Sequence, residues 1–297
     1  MLSGRRALAL AAVGSVLALG SLSPASAATA ACNRACLGGM ITQYIDAVAA
    51  HDAGKLPLVA GARVTENSQT AKLGDGLWKT VTGKATFRQD YLDTKAQIAA
   101  AHVVFPEGKN QLLYSVLLHM QGARIAGVET LVQRITPESR FQPDQLGGPI
   151  RGMNDPIPAG KKQSRASMIK TALTYPEGLR IGNFTTGKTP FATETYRVEN
   201  GVITAGVGCR AGATCGMYEQ KIIVHPDVKA SVAAVDEENG TVLLWMNFGD
   251  TNSYGAGNAL VTFEAFKTWG DQIHSILAFF PILPVATQRG WPSSDPQ

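Results

Sequence analysis

Four side chains have the chemistry and the surroundings for proton transfer: Glu66, Glu129, Glu264 and His274. Glu129 lies in Gly127-Val128-Glu129-Thr130-Leu131, and Glu264 follows Phe263 and precedes Ala265-Phe266. Each of these two acids is embedded in a run that otherwise reads as core strand. A carboxyl carried into an apolar cavity has its pKa raised toward neutrality, where it can exchange a proton with a bound molecule. Glu66 stands beside Asn67, whose amide could donate to a developing oxyanion. His274 follows the turn Trp269-Gly270-Asp271, and an imidazole can both give and take a proton. His51, Trp78, His119, Asp250 and Tyr254 are candidates for holding a ligand.

Each candidate also has a structural alternative. Period-two alternation allows Glu129 to face solvent. His51-Asp52 closes a helix, where the dipole favours a histidine anyway. Trp78 in GDGLWKT suits a core or a rim. Asp250, Asn252 and Tyr254 belong to NFGDTNSYGAGN, residues 247–258, and such residues also build hairpin turns. His274 in a strand can be a hydrogen-bonded bystander.

No H-E-x-x-H or G-x-S-x-G pattern is present, so the chemistry expected is metal-free and needs no cofactor. Gly182-Asn-Phe-Thr-Thr-Gly187-Lys188-Thr189 does match the phosphate-loop pattern G-x-x-x-x-G-K-[ST]. A working phosphate loop joins a buried strand to a helix N-terminus. Here Pro176 and Gly178 precede the motif and a Thr/Tyr/Val-rich strand pattern follows it. The expectation is a surface turn and no nucleotide.

The elements that must position these residues fall into two similar halves. Apolar residues at 37, 40, 41, 44, 45, 48 and 49 form a helical stripe. Short strand patterns follow at ARVTEN, 98–104, 111–120 and 124–135, with a hairpin turn at MQGAR. The second half reads as a helix over 166–175 and a strand over 192–199. After it come EQKIIVH, TVLLWMNFG, NALVTFEAFKTW and DQIHSILAFF. GKLPLVAGARVTENS (54–68) and GKTPFATETYRVENG (187–201) share Gly, Lys, Pro, Glu and Asn without a gap. That points to a duplicated unit. Between the halves, residues 136–165 hold five Pro and four Gly and read as a linker or a long irregular crossing.

The chain has 297 residues and a formal charge of +4. Arg5-Arg6, an apolar run over 7–19 and a small-residue site at 23–27 read as a secretory signal peptide, residues 1–27. Its removal takes away two arginines and no acid, leaving +2. That is too little to argue for a nucleic acid or an anionic membrane. No later segment reads as a membrane span. The mature protein is expected to be secreted or periplasmic. Cys32, Cys36, Cys209 and Cys215 form two close pairs. In an exported chain disulfides are the default, and local pairing is the simplest of three connectivities.

The pattern CNRACLGGMITQYIDAVAAHD…LP…VTEN…GLW…RIAGVETLV resembles the exported branch of the nuclear transport factor 2-like, or SnoaL-like, superfamily. The resemblance covers residues 32–135 well and 166–285 more weakly, leaving 286–297 as a tail. It implies an α+β fold: two tandem cone-shaped domains, each with N-terminal helices packed on a curved antiparallel sheet around a pocket. It also implies a small organic ligand in an apolar pocket, and either an intramolecular pseudo-dimer or a homodimer, since such cones pair through their sheets. Two functions stay open: an isomerase, dehydratase or lyase using acid–base chemistry, or a non-catalytic binding or assembly module. Convergent ionisable groups in the pocket would favour the first.

Overall fold

The computed structural model describes residues 30–143, 146, 150–209 and 214–295; residues 1–27, read from sequence as a signal peptide, lie outside them. The first half opens with α1 (Arg34–Ala49), capped by Asn33, whose side chain accepts from the Cys36 amide at 2.9 Å. Six strands follow: β1 (Leu58–Glu66), β2 (Gln69–Thr70), β3 (Phe87–Asp93), β4 (Ile98–Glu107), β5 (Asn110–Gln121) and β6 (Arg124–Ile135). The second half opens with α2 (Arg165–Ile181). It continues with β7 (Phe191–Glu199), β8 (Val202–Gly206), β9 (Lys229–Asp236), β10 (Thr241–Asn247), β11 (Asn258–Trp269) and β12 (Gln272–Phe279). A short β13 (Ile282–Pro284) pairs with β11.

The two sheets have the same strand order, β2-β1-β6-β5-β4-β3 and β8-β7-β12-β11-β10-β9. Neither sheet is purely antiparallel, which corrects the sequence expectation: β1 runs parallel to β6, and β7 parallel to β12. After the short strand the chain crosses to the opposite edge of the sheet and builds the meander back from there, so the last strand arrives beside the first long one and runs parallel to it.

Three buried clusters stack in layers. One lies between α1 and the first sheet, one between α2 and the second sheet, and one between the two sheets. Alternation assigns the faces. Leu112, Tyr114, Val116 and Leu118 point to α1, while Leu113 and Leu117 point to the other sheet. Because both faces of the central strands are covered, they read as continuous apolar runs.

The junction between the halves is reciprocal. Arg34 at the start of α1 donates to both carboxylate oxygens of Asp236 at 2.6 and 3.0 Å, and Asp236 also accepts from the Leu92 amide. Arg165 at the start of α2 donates to both oxygens of Asp93 at 3.0 and 2.7 Å, and Asp93 also accepts from the Val235 amide. Asp93 and Asp236 end the corresponding strands β3 and β9. Each half therefore supplies the arginine for the other half's aspartate, as a two-fold axis would require. Between the sheets, His102 donates from Nε2 to the Phe263 carbonyl at 3.0 Å, and its Nδ1 accepts from the Tyr91 hydroxyl at 2.8 Å. Burial drives its pKa down to about 3, so it stays neutral.

Several strands lacked a readable pattern. EQKIIVH is not a strand: Ile223 and Val224 are exposed, and the segment runs over open ground before the His225 amide bonds to the Leu179 carbonyl. The edge strand β9 is built instead from KASVAAVD. Helix α2 continues through Pro176 to Ile181, where Gly182 closes it in the left-handed region (φ 75). Pro176 removes one helical donor, but buried Leu179 beyond it holds the last turn against the sheet.

The phosphate-loop match falls in the turn between α2 and β7, with Lys188 exposed in the left-handed region. The order is helix then strand, the reverse of what phosphate cradling needs. Several described residues of the proline-rich stretch are packed into the body of the protein. Ile150 and Met153 are buried in the inter-sheet cluster, and Asn154 accepts from Gln89 at 2.6 Å. Both disulfides are local, Cys32–Cys36 and Cys209–Cys215. Together with the absence, among the described residues, of any helix long and apolar enough to cross a membrane, they fit an exported protein.

Candidate functional site

A cavity of about 530 Å³ opens between α2 and the second sheet. Its walls are Phe141, Leu179, Phe248, Leu260 and Phe280, and Arg140 and Lys221 also line it. The polar groups come from three elements. Tyr175 projects from α2, and Arg197 and Glu199 project two residues apart from β7, on one face of the strand. His225 comes from the segment before β9.

These groups are coupled. Arg197 donates to the Tyr175 hydroxyl at 2.8 Å and to Thr204 at 3.1 Å, and lies 3.3 Å from the Glu199 carboxylate. Tyr175 in turn hydrogen-bonds Glu264, which is buried on β11 beneath it. One Glu264 oxygen has no hydrogen-bond partner. Burial pushes the Glu264 carboxyl up to about 8, and the negative charge of Glu199 adds to the shift; Arg197 and the tyrosine bond oppose it. Glu264 is therefore largely protonated at pH 7. Burial works against the Arg197 charge, but Glu199, Tyr175 and Glu264 outweigh it and hold the guanidinium's pKa above its ordinary value. His225 donates from Nδ1 to the Phe248 carbonyl at 3.1 Å, which leaves Nε2 as the proton acceptor. Burial lowers its pKa, so the ring is neutral. Tyr254 also lines the cavity, its ring 5.9 Å from and nearly parallel to His225. Burial, then the Glu199 charge, raises its pKa to about 12.

Of the residues proposed from sequence, Tyr254 lines this cavity, and Glu264 is buried behind its wall, reached through Tyr175. Glu66 and Trp78 line a second, smaller one in the first half. The remaining candidates lie elsewhere. Glu129 faces away from α1 and is clamped by Arg289, which donates to its two oxygens at 2.8 and 2.9 Å; His119 is 3.3 Å away. His119 itself stacks on Trp291 with 4.2 Å between ring centroids. His274 stacks on Trp269, with Nδ1 2.6 Å from Glu194 and Nε2 3.0 Å from the Trp269 carbonyl. His51 is exposed at the end of α1. Asp250 is exposed and accepts from the Asn252 amide, closing a turn.

Asn67 is committed to the backbone. Its side chain accepts from the Val132 amide at 2.8 Å and donates to the Val132 carbonyl at 3.4 Å. Asn200 does the same to Phe280, at 2.9 and 3.1 Å. Both sit at positive φ and prolong the parallel pairing where the backbone has turned away. The repeated Glu-Asn therefore preserves a strand-end bracket.

The residues that sequence reasoning missed are Arg197, Tyr175 and His225. Arg197 and Glu199 were legible as a charged pair at strand spacing. Tyr175 hid in the apolar stripe of α2, and His225 in a segment read as a strand.

The clamp on Glu129 belongs to the C-terminal tail, which crosses from the second half onto the first sheet. Trp291 donates from Nε1 to Thr65 at 2.9 Å, and Arg63 lies 4.4 Å over its ring. A Cβ on Gly127 would come within 2.4 Å of that ring, closer than any real contact. Gly127→Val is expected to eject Trp291 and to cost about 1–3 kcal/mol, the usual overpacking range. A red shift of tryptophan emission and faster proteolysis after Arg289 would register it; an unchanged digestion pattern would mean that the tail is not held there.

Fold and cavity together define an α+β protein with two equivalent sheets and a polar-floored cavity in the second half. A family model described as a domain of unknown function (DUF8021) matches residues 161–280, from just before α2 to just after β12. No curated protein and no solved structure matches the chain.

Proposed function

We propose that the protein is exported and binds a small organic molecule in the second-half cavity, where it catalyses a proton transfer of the isomerase, dehydratase or lyase kind. The observation that carries this is a buried carboxyl kept protonated beneath a tyrosine and an arginine, at the base of a cavity with a neutral histidine in its wall. His225 Nε2 is the group placed to take a proton. Arg197 and Tyr175 are the donors for the oxygen that becomes negative. Glu264, reached through Tyr175, keeps that donor chain oriented and supplies it with a proton. The apolar walls exclude water and hold the carbon skeleton.

Each half is read as one cone, and the two cones as an internal pair joined back to back. The reciprocal arginine–aspartate exchange supports this over a homodimer, because the faces that would pair between chains are already covered.

Mass spectrometry of small molecules retained by the purified protein identifies the ligand. Incubating that ligand with the protein in D₂O is expected to label a carbon-bound position, and His225→Gln is expected to slow labelling about 10²–10⁴-fold while retention persists. A ligand returned unlabelled and unchanged would leave a binding module without turnover.

A further inference from the structure

The first half carries a smaller cavity, about 160 Å³, lined by Tyr44, Val64, Glu66, Trp78, Tyr114 and Thr130, with Lys72 and Asp75 at its rim. Register relates its residues to those of the second half. Leu58 pairs with Ile125 and Glu66 with Thr130, as Phe191 pairs with Ile273 and Glu199 with Ala278. Glu66 therefore corresponds to Glu199, and Val64 to Arg197. Val116 pairs with Thr130 and Glu264 with Ala278, so Val116 stands where Glu264 does.

The second half neutralises its glutamate with Arg197. The first half keeps the glutamate and has a valine in place of the guanidinium. Among the described residues the Glu66 side chain has no hydrogen bond or ion pair, its backbone alone being paired in the sheet. Burial raises its pKa, and only the field of Arg134 opposes the shift. The Arg134 guanidinium is itself occupied by Glu107, at 2.9 Å. Asp75 is held by Lys79 at 2.6 Å, and Lys72 is an exposed side chain. The remaining walls are aromatic. The Trp78 and Tyr44 rings meet edge to face at 5.5 Å, and the Tyr44 and Tyr114 hydroxyls share a hydrogen bond of 2.8 Å.

We infer that this cavity binds a small organic ammonium ion, or the ammonium head of a larger molecule, in the place that Arg197 fills in the other half. The carboxylate supplies the counter-charge. The aromatic faces supply cation–π attraction, which strengthens when the cation leaves water. The volume lies below the usual range for drug-sized ligands, about 300–1,000 Å³, and so selects a compact head group. Binding favours ionised Glu66, so affinity falls as pH drops through the raised pKa of that carboxyl. The site does not depend on the chemistry proposed for the second half.

The test uses methylammonium and tetramethylammonium chlorides, with sodium chloride and tert-butanol as controls, followed through the Trp78 indole resonance of the full chain. The expected result is a saturable shift with an ammonium ion and none with either control. Glu66→Gln should weaken binding at least about tenfold while leaving the urea unfolding midpoint essentially unshifted. Val64→Arg should abolish it by filling the site from within; where that variant does not fold, Glu66→Gln decides alone. No saturable response, an equal response to tert-butanol, or undiminished binding by Glu66→Gln would each overturn the inference.

Discussion

Asp93→Ala is expected to destabilise the protein by about 3–5 kcal/mol, the range for removing one partner of a buried ion pair. Asp93 is fully buried, and Arg165 aims two nitrogens at it while the Val235 amide takes a further position. Alanine leaves the Val235, Lys95 and Ala96 amides without their acceptor and the guanidinium with only the more exposed Asp295 and Glu237, at 3.3 and 3.7 Å. The equivalent change, Asp236→Ala, breaks the matching pair, but its partner Arg34 is one-third exposed and can turn to water. The loss there should be smaller. The double variant Asp93→Leu/Arg165→Met should recover part of the loss, since it removes the half-buried charge along with its buried partner. Urea unfolding of the four proteins at pH 7 measures all of this. A loss below about 1 kcal/mol for Asp93→Ala would mean that the halves are held by their apolar faces alone.

That outcome bears on more than stability, because the exchange lies where the two halves meet at the edges of β3 and β9. The cavities lie on the opposite faces of the sheets, beneath the helices whose first residues are Arg34 and Arg165. Each helix is thus pinned at its N-terminus to the other half.

Much of this plan was readable from spacing. The α1 stripe at 37, 40, 41, 44, 45 and 48 is the set that packs on the first sheet, and the strands from 98 to 135 follow their apolar runs. Two features defeated local reading. β3 and β9, in FRQDYLD and KASVAAVD, draw their stability from contact with the opposite sheet, and a propensity pattern carries no trace of a partner distant in sequence. The parallel pairing of first and last strands is likewise a property of the whole half.

The acids show the same limit. Glu129 and Glu264 sit in similar apolar contexts, yet one faces the other sheet and meets Arg289 while the other faces α2 and meets Tyr175. A one-residue difference in register decides between those faces. Sequence named both residues and could not separate a structural clamp from a protonated acid. Asn67 and Asn200 were visible as a repeat, but only their backbone partners give the repeat its meaning.

Glu264→Gln should change how stability depends on pH. Glu264 binds its proton up to about pH 8 in the folded protein, whereas in the unfolded chain it loses the proton near the ordinary carboxylate value of about 4.3. Between those two values the folded state holds a proton that the unfolded state has released. Stability from this group is therefore fully present below the lower value, declines as pH rises by up to about 1.4 kcal/mol per unit, and levels off above the upper one. Glutamine has nothing to titrate and keeps both hydrogen-bonding roles of the protonated acid. Subtracting the variant's urea-derived stability from that of the wild type at pH 5, 7 and 9 cancels the other titrating groups and isolates this one. The difference should fall steadily from pH 5 to 9 and end in favour of the variant. A difference that stays flat would mean that Arg197 holds Glu264 ionised, and the cavity would then lack the protonated acid on which its proposed chemistry rests. The same substitution separates orientation from proton supply: labelling in D₂O that survives in Glu264→Gln with an unchanged pH profile would assign Glu264 to holding Tyr175, and a profile that loses its alkaline limb would assign it to the proton chain.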